Sequence, residues 1–156
     1  MKSFQTNICI FVWTLLLVLF DQLSKVSIVK CFPMNEPYVI IPHIFSICYV
    51  VNTGSVWGIF QNSSRALAYC GVAAIVGLCL CRPKISLPNC VSKLAFSGAL
   101  GGIIGNSIDR FYRSGVIDFL DFHYKNYHWP CFNLADAYLC LACIFFILTS
   151  TRKNRA

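Results

Sequence analysis

Long apolar runs alternate with short polar ones along this chain. "ICIFVWTLLLVLF" at residues 8 to 20 holds one polar residue, Thr14, and helix can continue through "DQLSKVSIV". A spanning helix needs ~20 mostly apolar residues, and Ile8 to Val29 supplies them. A second run, "RALAYCGVAAIVGLCLC" with a few residues before it, predicts a span over residues 62 to 81. The third covers 91 to 111 and the fourth 134 to 150. Between the first two, "YVII", "IFSICYVV" and "VWGIF" are rich in β-branched and aromatic residues and are broken by Pro42 and "NTG". That pattern predicts a small β element over residues 38 to 60. The expected fold is an all-α membrane protein, one domain over 1 to 156, with four transmembrane helices and an extracytoplasmic β element between helices 1 and 2.

Composition supports that class. Of 156 residues, 57% are hydrophobic and 12% charged, where a soluble domain has about half and about a quarter. The apolar N-terminus with Lys2 resembles a signal peptide, but no small-residue cleavage site follows and three more spans do, so it is expected to stay as the first helix.

Charge then sets orientation. Lys and Arg outnumber Asp and Glu by 13 to 6 but form no block, which argues against a nucleic-acid partner. Lys2, Arg82, Lys84, Lys93, Arg152, Lys153 and Arg155 all fall on one side of the four spans. Lys30, Arg65, Arg113 and Lys125 lie near span ends on the other, and residues 31 to 64 carry no Lys or Arg. The bias places both termini in the cytoplasm and the segment 115 to 139 outside.

Of ten cysteines, Cys9, Cys70, Cys79, Cys81, Cys140 and Cys143 fall inside apolar runs, where a thiol acts as a small hydrophobe. Cys31, Cys48, Cys90 and Cys131 show no metal-ligand spacing. No metal and no obligatory disulfide are expected, and pairing among Cys31, Cys48 and Cys131 stays open. In the third span Ser97, Gly101 and Gly105, and again Gly98 and Gly102, recur every four residues. That spacing lets helix backbones approach closely.

Ionisable groups at membrane depth cost several kcal/mol unless paired or hydrated, so five acids need an account. Asp21 and Lys25 stand one helical turn apart and form a ready ion pair. Asp109 stands four before Arg113 and three after Asn106, a polar cluster at the outer end of the third span that leaves Arg110 in need of a partner. Asp136 follows Asn133 by three at the start of the fourth helix, where Asn caps and an acid suits the dipole. Asp118 stands among Val116, Ile117, Phe119 and Leu120, either solvated or held for chemistry. Asp121, three residues later, reads as its helical neighbour or as a support.

Two carboxylates brought together cannot both ionise easily, so one keeps a proton. Such a pair takes a proton from water and gives one to a leaving amine, which hydrolyses a peptide without metal or covalent intermediate. From spacing alone the structural reading ranks above this one. The histidines His43, His123 and His128 lack HExxH spacing and GxSxG is absent. Ser24 with Lys25 and Ser92 with Lys93 are adjacent on helices and point apart.

At these residues the sequence resembles the signal peptidase II family of bacteria. The likeness rests on "DQLSK" at 21 to 25, "NTGSVWGIF" at 52 to 60, "GNSIDR" at 105 to 110, "GVIDFLDF" at 115 to 122 and "FNLAD" at 132 to 136, in order across nearly the whole chain. The resemblance implies a cofactor-free aspartic endopeptidase of the inner membrane. Its partners would be membrane lipid and diacylglyceryl-modified prolipoproteins, cut before the lipid-bearing cysteine, and the chain is expected to act as a monomer. It implies Asp118 and Asp136 as the catalytic dyad. Asn52, Gly54, Asn106, Asp109, Arg110 and Asn133 would line or brace the site, with Asp21 and Lys25 in support. Ser55 stands where the family usually has alanine, and the stretch from His123 to Cys131 is idiosyncratic. Trp57 and Trp129 would suit the interfacial zone.

Overall fold

A computed structural model describes residues 2–54, 60–125 and 127–153. Ser55, Trp57, most of the "VWGIF" run and the anchor Arg155 lie outside the described residues. Four long helices form: α1 (Lys2–Cys31), α2 (Ser64–Cys81), α3 (Cys90–Tyr112) and α4 (Leu134–Lys153). A 3-10 turn, Arg82–Lys84, follows α2. Ser3–Cys31, 29 residues of α1, and Ser64–Lys84, 21 residues of α2 and the 3-10 turn, reach mean hydropathies of 1.9 and 1.8 over 18-residue windows and are long and apolar enough to cross a membrane. The apolar part of α4, Leu134–Thr149, is shorter, and α3 carries Lys93, Asp109 and Arg110.

α3 is polar because it is central. It packs against the other three helices and buries Ser92, Ser97, Asn106, Ser107 and Asp109. Its start is fixed by a reciprocal cap in which the Ser92 N–H donates to Asn89 Oδ1 at 2.8 Å and the Asn89 N–H to Ser92 Oγ at 3.2 Å. Large apolar side chains point outward instead, among them Phe11, Phe20 and Leu23 on α1, Leu80 on α2 and Leu141 and Ile147 on α4. Apolar surface on that scale marks contact with something other than water.

The two small-residue stripes of α3 serve two neighbours. Ser97 donates to the carbonyl of Ile10 at 3.2 Å, and a Cβ on Gly101 would stand 3.2 Å from Leu17, so this stripe admits α1. A Cβ on Gly98 would meet Tyr138 at 3.4 Å, and one on Gly102 would stand 2.5 Å from the Ala135 carbonyl, so the other admits α4.

The sheet is larger than the sequence pattern predicts. Its antiparallel order is β1 (Tyr38–Ile41), β2 (Phe45–Asn52), β3 (Val116–Tyr124) and β4 (Tyr127–His128). The expectation of an all-α fold with strands only between helices 1 and 2 is therefore corrected: the connector from α3 to α4 supplies half of the sheet. β2 pairs with β3 through Phe45↔Phe122, Ser46↔Asp121, Val50↔Asp118 and Asn52↔Val116. "VIDFLDF" is β-branched and aromatic, but its partner strand lies some 70 residues away in sequence, so local pattern does not reveal it. Asp121 is accordingly no helical neighbour of Asp118. Three residues apart on a strand, the two point to opposite faces.

Both connectors leave the same end of the bundle, so the sheet covers the ends of the helices. Two apolar clusters lie at different levels of the bundle. Ile10, Leu87, Phe96 and Leu100 pack at one level, and Ile28, Ile117 and Phe119 at the other.

Candidate active site

Between those clusters lies a buried ionic knot. Lys25 and Asp21 are wholly buried. Lys25 Nζ donates to Asp21 Oδ2 at 2.9 Å and to Asn106 Oδ1 at 3.1 Å, and lies 2.8 Å from Asp109 Oδ2. An ammonium has three protons, and all three are used. Arg113 pairs with Asp109 Oδ1 and donates to Gln22 Oε1 at 3.0 Å. Two acids and two bases thus balance, which a buried cluster requires. The expected Asp21–Lys25 and Asp109–Arg113 pairs are both present, fused into one network.

The knot reaches outward through backbone. Asp21 Oδ1 accepts the N–H of Ala135 at 3.0 Å, and Asp109 Oδ2 accepts the N–H of Ile117 at 3.3 Å. Gln22, which the sequence reading passed over, donates to Asp21 at 3.1 Å, to the Gly105 carbonyl at 3.2 Å and to Asp109 at 3.2 Å. Its place inside "DQLSK" was the available signal.

Asp118, on β3, is 3% exposed. Asn52 Nδ2 donates to its Oδ2 at 3.1 Å and Asn133 Nδ2 to its Oδ1 at 2.7 Å. Asp136 stands in the first turn of α4, where Asn106 Nδ2 donates to its Oδ1 at 2.7 Å. Asn133 and Asp136 form the expected cap, with the Asp136 N–H on Asn133 Oδ1 at 3.0 Å and the Asn133 N–H on Asp136 Oδ2 at 3.2 Å. Of the two acids, one thus comes from a strand and one from a helix start.

Each asparagine is oriented by its far end. Asn52 Oδ1 accepts the Gly54 N–H at 3.0 Å, Asn133 Oδ1 accepts the Asp136 N–H and Asn106 Oδ1 accepts Lys25 and, at 3.2 Å, Asn133 Nδ2. With the carbonyls committed, the amide N–H groups must face the carboxylates. The two acids are thereby bridged through Asn133 and Asn106.

Burial raises the pKa of Asp118 from 3.8 to about 7. The charge of Asp136 adds to that rise, while the hydrogen bonds from Asn52 and Asn133 and the charge of Lys25 oppose it. A carboxyl with that pKa, beside a second carboxylate, is equipped for proton transfer near neutrality.

Arg110 finds its partner in the Gly54 carbonyl, at 3.3 Å from Nη2, with the Asn106 carbonyl at 3.4 Å from Nη1. Its Nε is buried without a hydrogen bond among the described residues. Asp121 meets a different group: His128 Nδ1 lies 2.9 and 3.1 Å from its two oxygens. Asp121, His123 and His128 each offer a ligand atom within 4.8 Å of the others, the described set with the make-up of a metal site. Trp129 is exposed on the same hairpin.

This architecture matches that of solved structures described as bacterial membrane enzymes. One such structure, determined by the in meso method at 2.3 Å, superposes with a TM-score of 0.84 at 26% identity, covering 93% of this chain and 88% of the other. A second, at 1.9 Å, gives 0.78 at 27% identity, covering 90% of each. The chain belongs to the signal peptidase II family, whose model, described as signal peptidase (SPase) II, matches residues 13–152. It is similar to the lipoprotein signal peptidase of Syntrophotalea carbinolica, 35% identical over 99% of this chain and 97% of that one. The lipoprotein signal peptidase of Burkholderia ambifaria is 34% identical over 91% and 87%.

Proposed function

We propose that this chain removes signal peptides from prolipoproteins as an aspartic endopeptidase, with Asp118 and Asp136 as the catalytic pair. The observation that carries this is the convergence of both carboxylates on Asn133, which donates to Asp118 while capping the helix turn that holds Asp136.

The pair shares one proton, held by Asp118, and the negative charge rests on Asp136 at the positive end of α4. Asp136 takes a proton from water as its oxygen attacks the scissile carbonyl, and Asp118 gives its proton to the carbonyl oxygen. The tetrahedral intermediate collapses, the C–N bond breaks and the new amine takes the proton from Asp136, while the carbonyl re-forms and returns a proton to Asp118. No atom of the protein bonds to substrate.

The substrate would be a prolipoprotein cut before its diacylglyceryl-cysteine. Four membrane-spanning helices, both termini in the cytoplasm and the sheet on the outer side of the bacterial inner membrane agree with the charge bias and the outward apolar faces. A groove of about 430 Å³ lined by Leu17, Leu94, Gly98, Tyr138, Leu141 and Phe145 is apolar enough to take acyl chain or signal-peptide side chains. The protein would act as a monomer with lipid around it.

Purified protein and a lipid-modified precursor test this. The wild type is expected to release the signal peptide, and Asp118→Asn or Asp136→Asn to lose about 10²- to 10⁴-fold in rate. Full cleavage by either variant refutes the assignment.

A further inference from the structure

The sheet holds a pair of reactive side chains that peptide hydrolysis does not use. Cys48 lies in the irregular stretch of β2 between Ile47 and Val50, where the register against β3 shifts. Cys131 lies in the connector from β4 to α4, beside Phe132, whose backbone pairs with Leu120 along the other edge of β3. Although 83 residues apart in sequence, their sulfurs are in direct contact at 2.7 Å. No other cysteine pair makes such contact among the described residues. Cys48 is buried and Cys131 half-buried.

We propose that Cys48 and Cys131 are a redox pair that closes to a disulfide on the outer side of the membrane. The proposal rests on the orientation given under the proposed function, because disulfides persist in oxidising compartments. The oxidant is a low-molecular-weight or protein disulfide. One cysteine thiolate attacks a sulfur of that disulfide, forming a mixed disulfide and expelling the oxidant's other sulfur as thiolate. The second cysteine loses its proton to solvent and attacks the protein sulfur of the mixed disulfide, releasing the remaining half of the oxidant. Two protein thiols lose two electrons and two protons, and the oxidant gains both as two thiols.

The bond closes a bracket around Asp118. Cys48 stands four residues before Asn52 and Cys131 two before Asn133, the two asparagines that donate to that carboxyl. Oxidation therefore ties together the segments that deliver both hydrogen bonds.

The test counts thiols on the full chain in detergent. After treatment with dithiothreitol or oxidised glutathione, the protein is denatured and labelled with a mass-tagged maleimide. The oxidised wild type is expected to carry two fewer tags than the reduced form. Cys48→Ser and Cys131→Ser are each expected to carry one fewer tag than reduced wild type and to lose at most one more on oxidation, to a mixed disulfide that the missing partner cannot resolve. Equal tag numbers in oxidised and reduced wild type overturn the proposal, as does a two-tag loss that persists in either serine variant. Asp118→Asn is expected to oxidise like wild type, which separates this test from the peptidase reading. A second arm quenches intact cells with acid before labelling. A pair found oxidised supports the outer placement, whereas a pair that oxidises in detergent but is reduced in cells overturns it.

Discussion

Asp21 accepts the backbone N–H of Ala135 at 3.0 Å, one residue before Asp136. Asp109 does the same for Ile117, one residue before Asp118. The ionic knot around Lys25 therefore holds the strand and the helix start that carry the two proposed catalytic acids, without touching either acid through its own carboxylates. Its role is positional, and its removal is read in stability before chemistry.

Lys25→Ala leaves Asp21 and Asp109 buried, with Arg113 the remaining cation of the salt-bridged knot. Breaking a buried pair by removing one partner costs about 3–5 kcal/mol. The expected outcome is a strongly lowered thermal midpoint in detergent, partly restored when Asp21→Asn is added. An unchanged midpoint for the single variant would show that the knot bears no load.

Glycine positions separate packing from propensity. A Cβ on Gly105 would stand 2.5 Å from Asp21 Oδ2, whereas one on Gly77 would meet nothing within 4 Å. Gly105→Ala is expected to cost about 1–3 kcal/mol by overpacking and to lower cleavage by displacing Asp21. Gly77→Ala should hold or gain stability through helix propensity. Thermal melts of the two proteins side by side decide the matter.

The raised pKa of Asp118 gives a stability prediction with a definite sign. In the unfolded chain this carboxyl ionises near 3.8 and in the fold near 7, so the fold binds the extra proton between those values. Stability from this group is complete below pH 3.8 and is lost as pH rises through about 7, a span of roughly 4 kcal/mol. Asp118→Asn removes that dependence. Its melting temperature should exceed wild type at pH 8, with the gap closing towards pH 5.

Under the proposed assignment the same proton governs activity. Cleavage should fall as pH rises through about 7 and Asp118 ionises. Asn52 donates to the ionised form of Asp118, so Asn52→Ala should move the alkaline limb up by about one pH unit. A profile of kcat/KM against pH for both proteins checks this, and a downward move would contradict it.

Much of this arrangement is legible in the sequence, for reasons that differ by residue. Run length predicts the helices, and the four-residue recurrence of Gly98, Gly101, Gly102 and Gly105 predicts close helix approach. Asp21 with Lys25 and Asn133 with Asp136 are local pairs, one turn apart, so spacing alone exposes them. β3 is not legible, because a short apolar run has no periodicity of its own and its pairing with β2 is long-range. Hence Asp121 reads as a partner of Asp118, while the strand turns it towards His128. Neither the Gly54 carbonyl as partner of Arg110 nor the contact of Cys48 with Cys131 has any local signature.

Asn133 is at once the first peg of α4 and a hydrogen-bond donor to Asp118. Helix onset and acid placement are thus a single mechanical part. Fraying of one turn, far short of unfolding, would let go of Asp118 and disarm the enzyme, so heat should silence turnover several degrees before the bundle itself opens.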